Sequence, residues 1–526
     1  MIQNRIQFSP FLFFSFLVFL GVFNSFLFGQ HDRERNAFRY LAEDKVEKAY
    51  HELKNGKKHT DPAEKGFIST LCLLREGKVE KALESAQDAV RLGLPFERLL
   101  AEPREWLAPL REHPDFKKWK IKVSPSPILH GPMLGRITDT SASFWFRTDG
   151  AHEVAVQISG HSGRESIRTK KENRFVGVIE LDGLLPGTYF SYHVFVNGEK
   201  FEIPDVDFGF RTYPQPDEES KFTLAFGGCS GFVPEYENAW ELIARHEPRA
   251  MLMLGDNVYI DDPEDVKWTG NYCYSRRHSR PEWRKLVAGT SMYAIYDDHD
   301  FGTDDCVPGS LVNQPAWKKP VLANFTRNWN NPAMGGGVKN PGCWHSFTLG
   351  KVEIIMLDCR YYRDRQKKSM LGPVQKRWLK ETLRNSTSVF KIIASSVPFS
   401  KGIKPGSKDP WDGYPDEREE IFSFIESEKI GGVFLIAADR HRIDLRRTDR
   451  PQGYDLFEFV SGRLTNRHVH PVVKTDGLIW GYNDTCGYCL IQINTRKKDP
   501  SLVLEAYDLN GKKIFTHMVK ASSLQF

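Results

Sequence analysis

Residue types suited to metal binding and acid–base chemistry gather in four short motifs: Cys229 in GGCS, Asp256 and Tyr259 in GDNVY, Asp297 to Asp300 in DDHD, and Asp439 with His441 in ADRH. Each follows a run that reads as a buried β-strand: FTLAF, AMLML, SMYAIY and GGVFLIA. Carboxylates and a thiol at the ends of buried strands cost free energy unless something pairs with them. Two bound metal ions would satisfy them together, and ion pairs held this way activate water against phosphate esters.

The order Cys, GDxxY, DDHD, DxH resembles the PhoD-like alkaline phosphatase branch of the calcineurin-like metallophosphoesterases. Leu357, Arg360 and Arg363 in LDCRYYR, and FEFVSGRL at 457–464, extend the resemblance over roughly residues 220–510. Upstream, PILHGPMLGRITDTSASFWFRT and GLLPGTYFSYHV resemble the β-sandwich that precedes the catalytic domain in that family. Ala438 stands where the family usually has Gly, Arg440 where it often has a small apolar residue, and Tyr296 where it often has Trp. None of the three removes a ligand, so they bear on the substrate rather than on the chemistry.

The resemblance implies an α/β four-layer sandwich (αββα) and a role for each motif residue. Asp256 becomes the bridging carboxylate. Cys229, Tyr259 and His441 join it in a site suited to Fe3+, the thiolate and phenolate favouring a softer or trivalent ion. Asp298 and Asp439 join it in a carboxylate site suited to Ca2+, Mg2+ or Mn2+. An inert buried thiol and an ordinary core tyrosine are the competing readings of Cys229 and Tyr259. His299 faces the phosphate and serves the leaving group, flanked by Asp297 and Asp300, which stand behind the ligands. Arg360 either grips phosphoryl oxygens or pairs with Asp358. The implied activity is hydrolysis of phosphate mono- or diesters with a metal-bridging hydroxide as nucleophile. Its rivals are a phospholipase D-like diesterase acting on lipid or wall polymers, and a non-enzymatic exported adaptor. His468 and His470 in TNRHVHP read as a solvated loop, with pocket lining as the alternative.

These motifs need elements to hold them. A chain of 526 residues exceeds one core and divides into several domains. Arg5 before the apolar run from Phe11 to Phe28, with Gly29 after it, predicts a signal peptide over residues 1–29, with an uncleaved anchor as the alternative. The protein is then exported, periplasmic or extracellular. Residues 31–120 read as helical, and KVEKA at 45–49 recurs at 78–82, an offset near the tetratricopeptide repeat period. That block is either a brace or a docking surface for a protein partner. Alternating strands over 124–213 predict a fibronectin III-like β-sandwich, and 220–526 is the catalytic domain. Residues 262–290 and 301–345 lack periodicity and read as long loops over the site.

Eight cysteines are too few for a disulfide scaffold, although Cys273–Cys306 or Cys343–Cys359 pairing fits an exported chain. The net charge of +5, spread along the chain, gives no signal for specific nucleic-acid binding.

Overall fold

The computed structural model describes residues 32–54, 61–160 and 163–526. The expected signal segment lies outside them. Six helices open the described chain: Arg33–Ala42, Val46–Lys54, Pro62–Arg75, Val79–Arg91, Arg104–Glu112 and Pro114–Val123. Asp61 caps the third, accepting the N–H groups of Ala63 and Glu64, with Pro62 at the first helical position. The third and fourth helices close tightly because residue 66 is glycine: a Cβ there would lie 2.8 Å from that of Ala89.

The helical block turns its apolar face inward. Phe38 stacks on Tyr272 at 4.0 Å, and Trp106 packs tilted against Trp268 at 4.7 Å. Buried ion pairs fix the contact: Asp32 to Arg276 at 2.6 Å, and Asp61 to Arg280 at 2.5 Å. This is the geometry of a brace. The face that carries these residues is used within the chain.

Eight strands follow: β1 (Ile128–Gly135), β2 (Ala142–Thr148), β3 (Glu153–Ile158), β4 (Arg164–Arg168), β5 (Val176–Leu181), β6 (Tyr189–Val196), β7 (Glu199–Phe201) and β8 (Gly209–Arg211). They form two antiparallel sheets, β1-β2-β5 and β4-β3-β6-β7 with β8 also on β6. Asn197 and Gly198, both at positive φ, make the tight turn between β6 and β7.

The C-terminal region adds β9 (Lys221–Gly227), β10 (Ala250–Leu254), β11 (Ser291–Ile295), β12 (His345–Leu349), β13 (Val352–Met356), β14 (Phe390–Ser395), β15 (Val433–Ala437), β16 (Ile443–Thr448), β17 (Leu456–Ser461), β18 (Leu478–Tyr482), β19 (Gly487–Asn494), β20 (Ser501–Asp508) and β21 (Lys513–Lys520). One sheet runs β11-β10-β9-β19-β20-β21 and the other β12-β13-β14-β15-β17-β16-β18. They meet across Phe226 and Phe459, whose ring centroids are 5.4 Å apart. Strands β9 to β11 are mutually parallel, as are β13 to β15 with β17. The carboxyl ends of both parallel sets converge on one crevice, where such folds place their ligands.

Two sequence expectations need correction. Residues 262–290 hold helices Asn271–His278 and Pro281–Gly289, and 301–345 hold helix Lys318–Asn328. Helix Asn271–His278 is buried at all eight positions, so it has no polar face and no period to read. Its Arg277 pairs with Glu237 at 2.6 Å. All eight cysteines are free thiols, so neither anticipated disulfide forms.

Candidate metal centre

Each motif residue sits two to five positions beyond a strand end. There the backbone adopts a conformation most side chains avoid. Cys229, Asp256, Asp439 and His441 all have positive φ, at 58°, 50°, 64° and 44°. Such strain collects where the surroundings over-determine a side chain's position. Small neighbours permit it: a Cβ on Gly228 would lie 2.6 Å from that of Ala438, and one on Gly255 would lie 2.5 Å from that of Asp297.

The donors form three adjoining sets, each with its ligand atoms within 4.8 Å of one another: Cys229, Asp256 and His441; Asp256, Asp298 and His299; Asp298, Asp304 and Asp305. Asp256 belongs to the first two. Its Oδ2 lies 3.6 Å from Cys229 Sγ and accepts the Tyr259 hydroxyl at 3.3 Å. Asp439 lies in the same crevice, where its charge acts on Cys229, but it falls outside these sets and accepts a bond from Arg440 at 3.3 Å.

The supports explain the motif spacing. Asp300 accepts the backbone N–H groups of Asn257, Val258 and Asp297 at 3.0–3.2 Å, so one carboxylate ties the loop carrying Asp256 to the turn carrying Asp298. His299 Nδ1 bonds the Asp261 carboxylate at 2.7 Å, and its ring packs on Tyr259 at 4.6 Å. Asp358 accepts N–H groups from Cys343, Arg360 and Tyr361 and fixes the turn after β13.

Arg360 is corrected. Its side chain is 0% exposed and pairs with Asp297, with Asp409 at 2.7 Å and with Asp298 at 3.3 Å. Its guanidinium is taken up by these carboxylates, which it positions. It does not take Asp358, which receives only its backbone N–H. His468 and His470 are corrected the other way: they are half-buried, with Nε2 atoms 2.9 Å apart and rings 4.9 and 5.1 Å from that of His441.

The sequence reading missed Asp261, Asp304, Asp305 and Asp409. Asp304 and Asp305 lie four and five residues past DDHD and were legible by proximity. Asp409, in a Gly- and Lys-rich loop, carries no local signal.

A cation fits these donors. Asp256 Oδ1 is buried without a hydrogen-bond partner, an expensive state for a carboxylate. Burial, and then neighbouring acidic groups, push the Cys229 thiol, the Asp256 carboxyl and the Tyr259 phenol well above their ordinary values. Burial pushes His441 well below its own, leaving a neutral imidazole. Bound cations would deprotonate the acids and use the neutral imidazole as it stands.

A family model described as PhoD-like phosphatase matches residues 224–489. Another, described as a domain of unknown function (DUF7800), matches residues 125–214. Alkaline phosphatase D of Bacillus subtilis (strain 168) is 24% identical over 387 residues, 61% of this chain and 65% of that protein. The chain thus spans a little under two thirds of that relative's length. Among solved structures, that of PhoD superposes with a TM-score of 0.56 at 18% identity, covering 74% of this chain and 93% of that one. Purple acid phosphatase PPD1 from yellow lupin (Lupinus luteus) seeds gives 0.56 at 13% identity, covering 74% of each. At such identities the two structures speak for the fold alone, a multi-sheet α/β arrangement.

Proposed function

The chain belongs to the PhoD-like phosphatase family, and on that premise we propose that it hydrolyses phosphate esters at a dinuclear metal centre. Cys229, Asp256, Tyr259 and His441 would hold one ion, with Fe3+ suited to the thiolate and phenolate. Asp256, Asp298 and Asp439 would hold the other, a hard ion such as Ca2+, Mg2+ or Mn2+. When bound, two such ions supply Lewis acidity and a nucleophilic water. The observation that carries the reading is Asp256: a buried carboxylate with an orphaned oxygen, shared by two donor sets.

The chain's own residues do the rest. Asp300 holds the two ligand loops in register, and Arg360 holds Asp297 and Asp298. Asp261 orients the His299 ring, which would carry a proton to the leaving oxygen. Phosphate mono- and diesters are the substrate class, and the apolar N-terminal run supports export. The test of the softer site is spectroscopic. A ferric ion on Tyr259 gives a visible charge-transfer band that Tyr259→Phe removes. A fully loaded but colourless protein would contradict the iron assignment.

A further inference from the structure

Four side chains stand together on one side of the crevice and play no part in holding the two ions. They are Arg440, Lys404, His468 and His470. Across the crevice the wall is acidic, with Asp261, Asp304 and Asp305 around His299. Lys404 marks the seam, its Nζ 3.0 Å from Asp305. The two imidazoles bond each other, and Val469 between them is 43% exposed, so this wall borders solvent.

Arg440 is the informative member. It lies between Asp439 and His441, where the family resemblance leads one to expect a small apolar residue. It is only 4% exposed, and among the described residues its one carboxylate contact is Asp439 at 3.3 Å. Among the described residues its buried Nε finds no hydrogen-bond partner. A buried guanidinium with an idle donor is costly unless an anion completes it. The charge of Arg440 reaches both imidazoles, as does that of Lys404.

We propose that Arg440, with Lys404, His468 and His470, forms a subsite for a second anionic group of the substrate, beyond the phosphorus at which hydrolysis occurs. The inference rests on the phosphoesterase reading and sharpens it: the preferred substrates are phosphodiesters that carry another phosphate or carboxylate. Guanidinium suits this task because its fork bonds two oxygens at once.

The test uses the metal-loaded full chain and two substrates, thymidine 3′-(nitrophenyl phosphate) with and without a 5′-phosphate. Both release nitrophenol, so their kcat/KM ratio cancels any general loss of activity. The 5′-phosphate should raise kcat/KM at least about tenfold, equivalent to ~1.4 kcal/mol, mainly through KM. Arg440→Gln should bring the ratio near unity, and Lys404→Gln should lower it partway. A wild-type ratio near one, or a ratio unchanged in Arg440→Gln, overturns the subsite. If neither substrate turns over, the hydrolase reading fails and binding decides the subsite alone. Thymidine 3′,5′-bisphosphate should then bind at least about tenfold more tightly than thymidine 3′-phosphate, and equal affinities overturn it.

Discussion

Asp256→Asn keeps the side chain's shape and removes the charge that two cations would share. It should strip both ions and lower turnover at least about 1,000-fold, a loss on the scale of ~4 kcal/mol. Elemental analysis and rate are read on the same sample. His299→Gln separates proton transfer from metal binding. It should retain both ions and lose about 10²–10⁴ in kcat, whereas loss of an ion would make His299 a ligand. Asp409→Asn tests the support behind the site. It leaves Arg360 and Arg363 buried without their shared carboxylate, at a cost of about 3–5 kcal/mol, measured by denaturant unfolding. Although burial opposes its charge, Arg360 and Arg363 hold the Asp409 carboxyl well below its ordinary value. A depressed carboxyl contributes stability above its unfolded pKa, so the pair's contribution is full at neutral pH and is lost only as pH falls below about 4. The motifs that converge on the crevice were legible because each joins reactive residue types to a strand end. Arg360 was not, because sequence spacing does not say whether a guanidinium faces the substrate or the back of a carboxylate. Asp409 escaped because its partners lie 46 and 49 residues away in sequence.

Helix Arg33–Ala42 carries a different charge problem. Glu34 is buried beside Asp32, and burial first, then that neighbour, raise its carboxyl from 4.5 to about 8. The folded form therefore keeps the proton. Its contribution to docking is full below pH 4.5 and drains away as pH rises toward 8. Glu34→Gln should match the wild type in acid and exceed it by on the order of 2 kcal/mol at pH 9, read from thermal unfolding at both pH values. Equal stability at pH 9 would mean that the carboxylate is satisfied there. Strand positions were readable because FTLAF, AMLML and VFLIA are short apolar runs bounded by polar turns. Helices Asn271–His278 and Lys318–Asn328 were not. The first places Arg276, Arg277 and His278 in the interior, where ion pairs and aromatic faces replace an apolar stripe.

At the scale of the molecule, three regions share contacts too specific for loose tethering. The β-sandwich bonds the C-terminal region through Tyr192 to the Ala288 carbonyl at 2.7 Å and Tyr213 to Tyr293 at 2.9 Å. The helical block does so through Asp32 and Phe38. Both buttress the layer from which Tyr259 and His299 project, so the described chain should unfold in one calorimetric transition. Separate melting of the helical block would contradict this. The central claim is that the converging donors hold ions that hydrolyse phosphate esters. The direct measurement is nitrophenol release from mono- and bis-nitrophenyl phosphate by protein lacking residues 1–29, with and without chelator. The account predicts turnover that chelator abolishes and that added calcium and iron restore. Absence of turnover on both esters in fully metal-loaded protein, or turnover that survives complete metal removal, would contradict it.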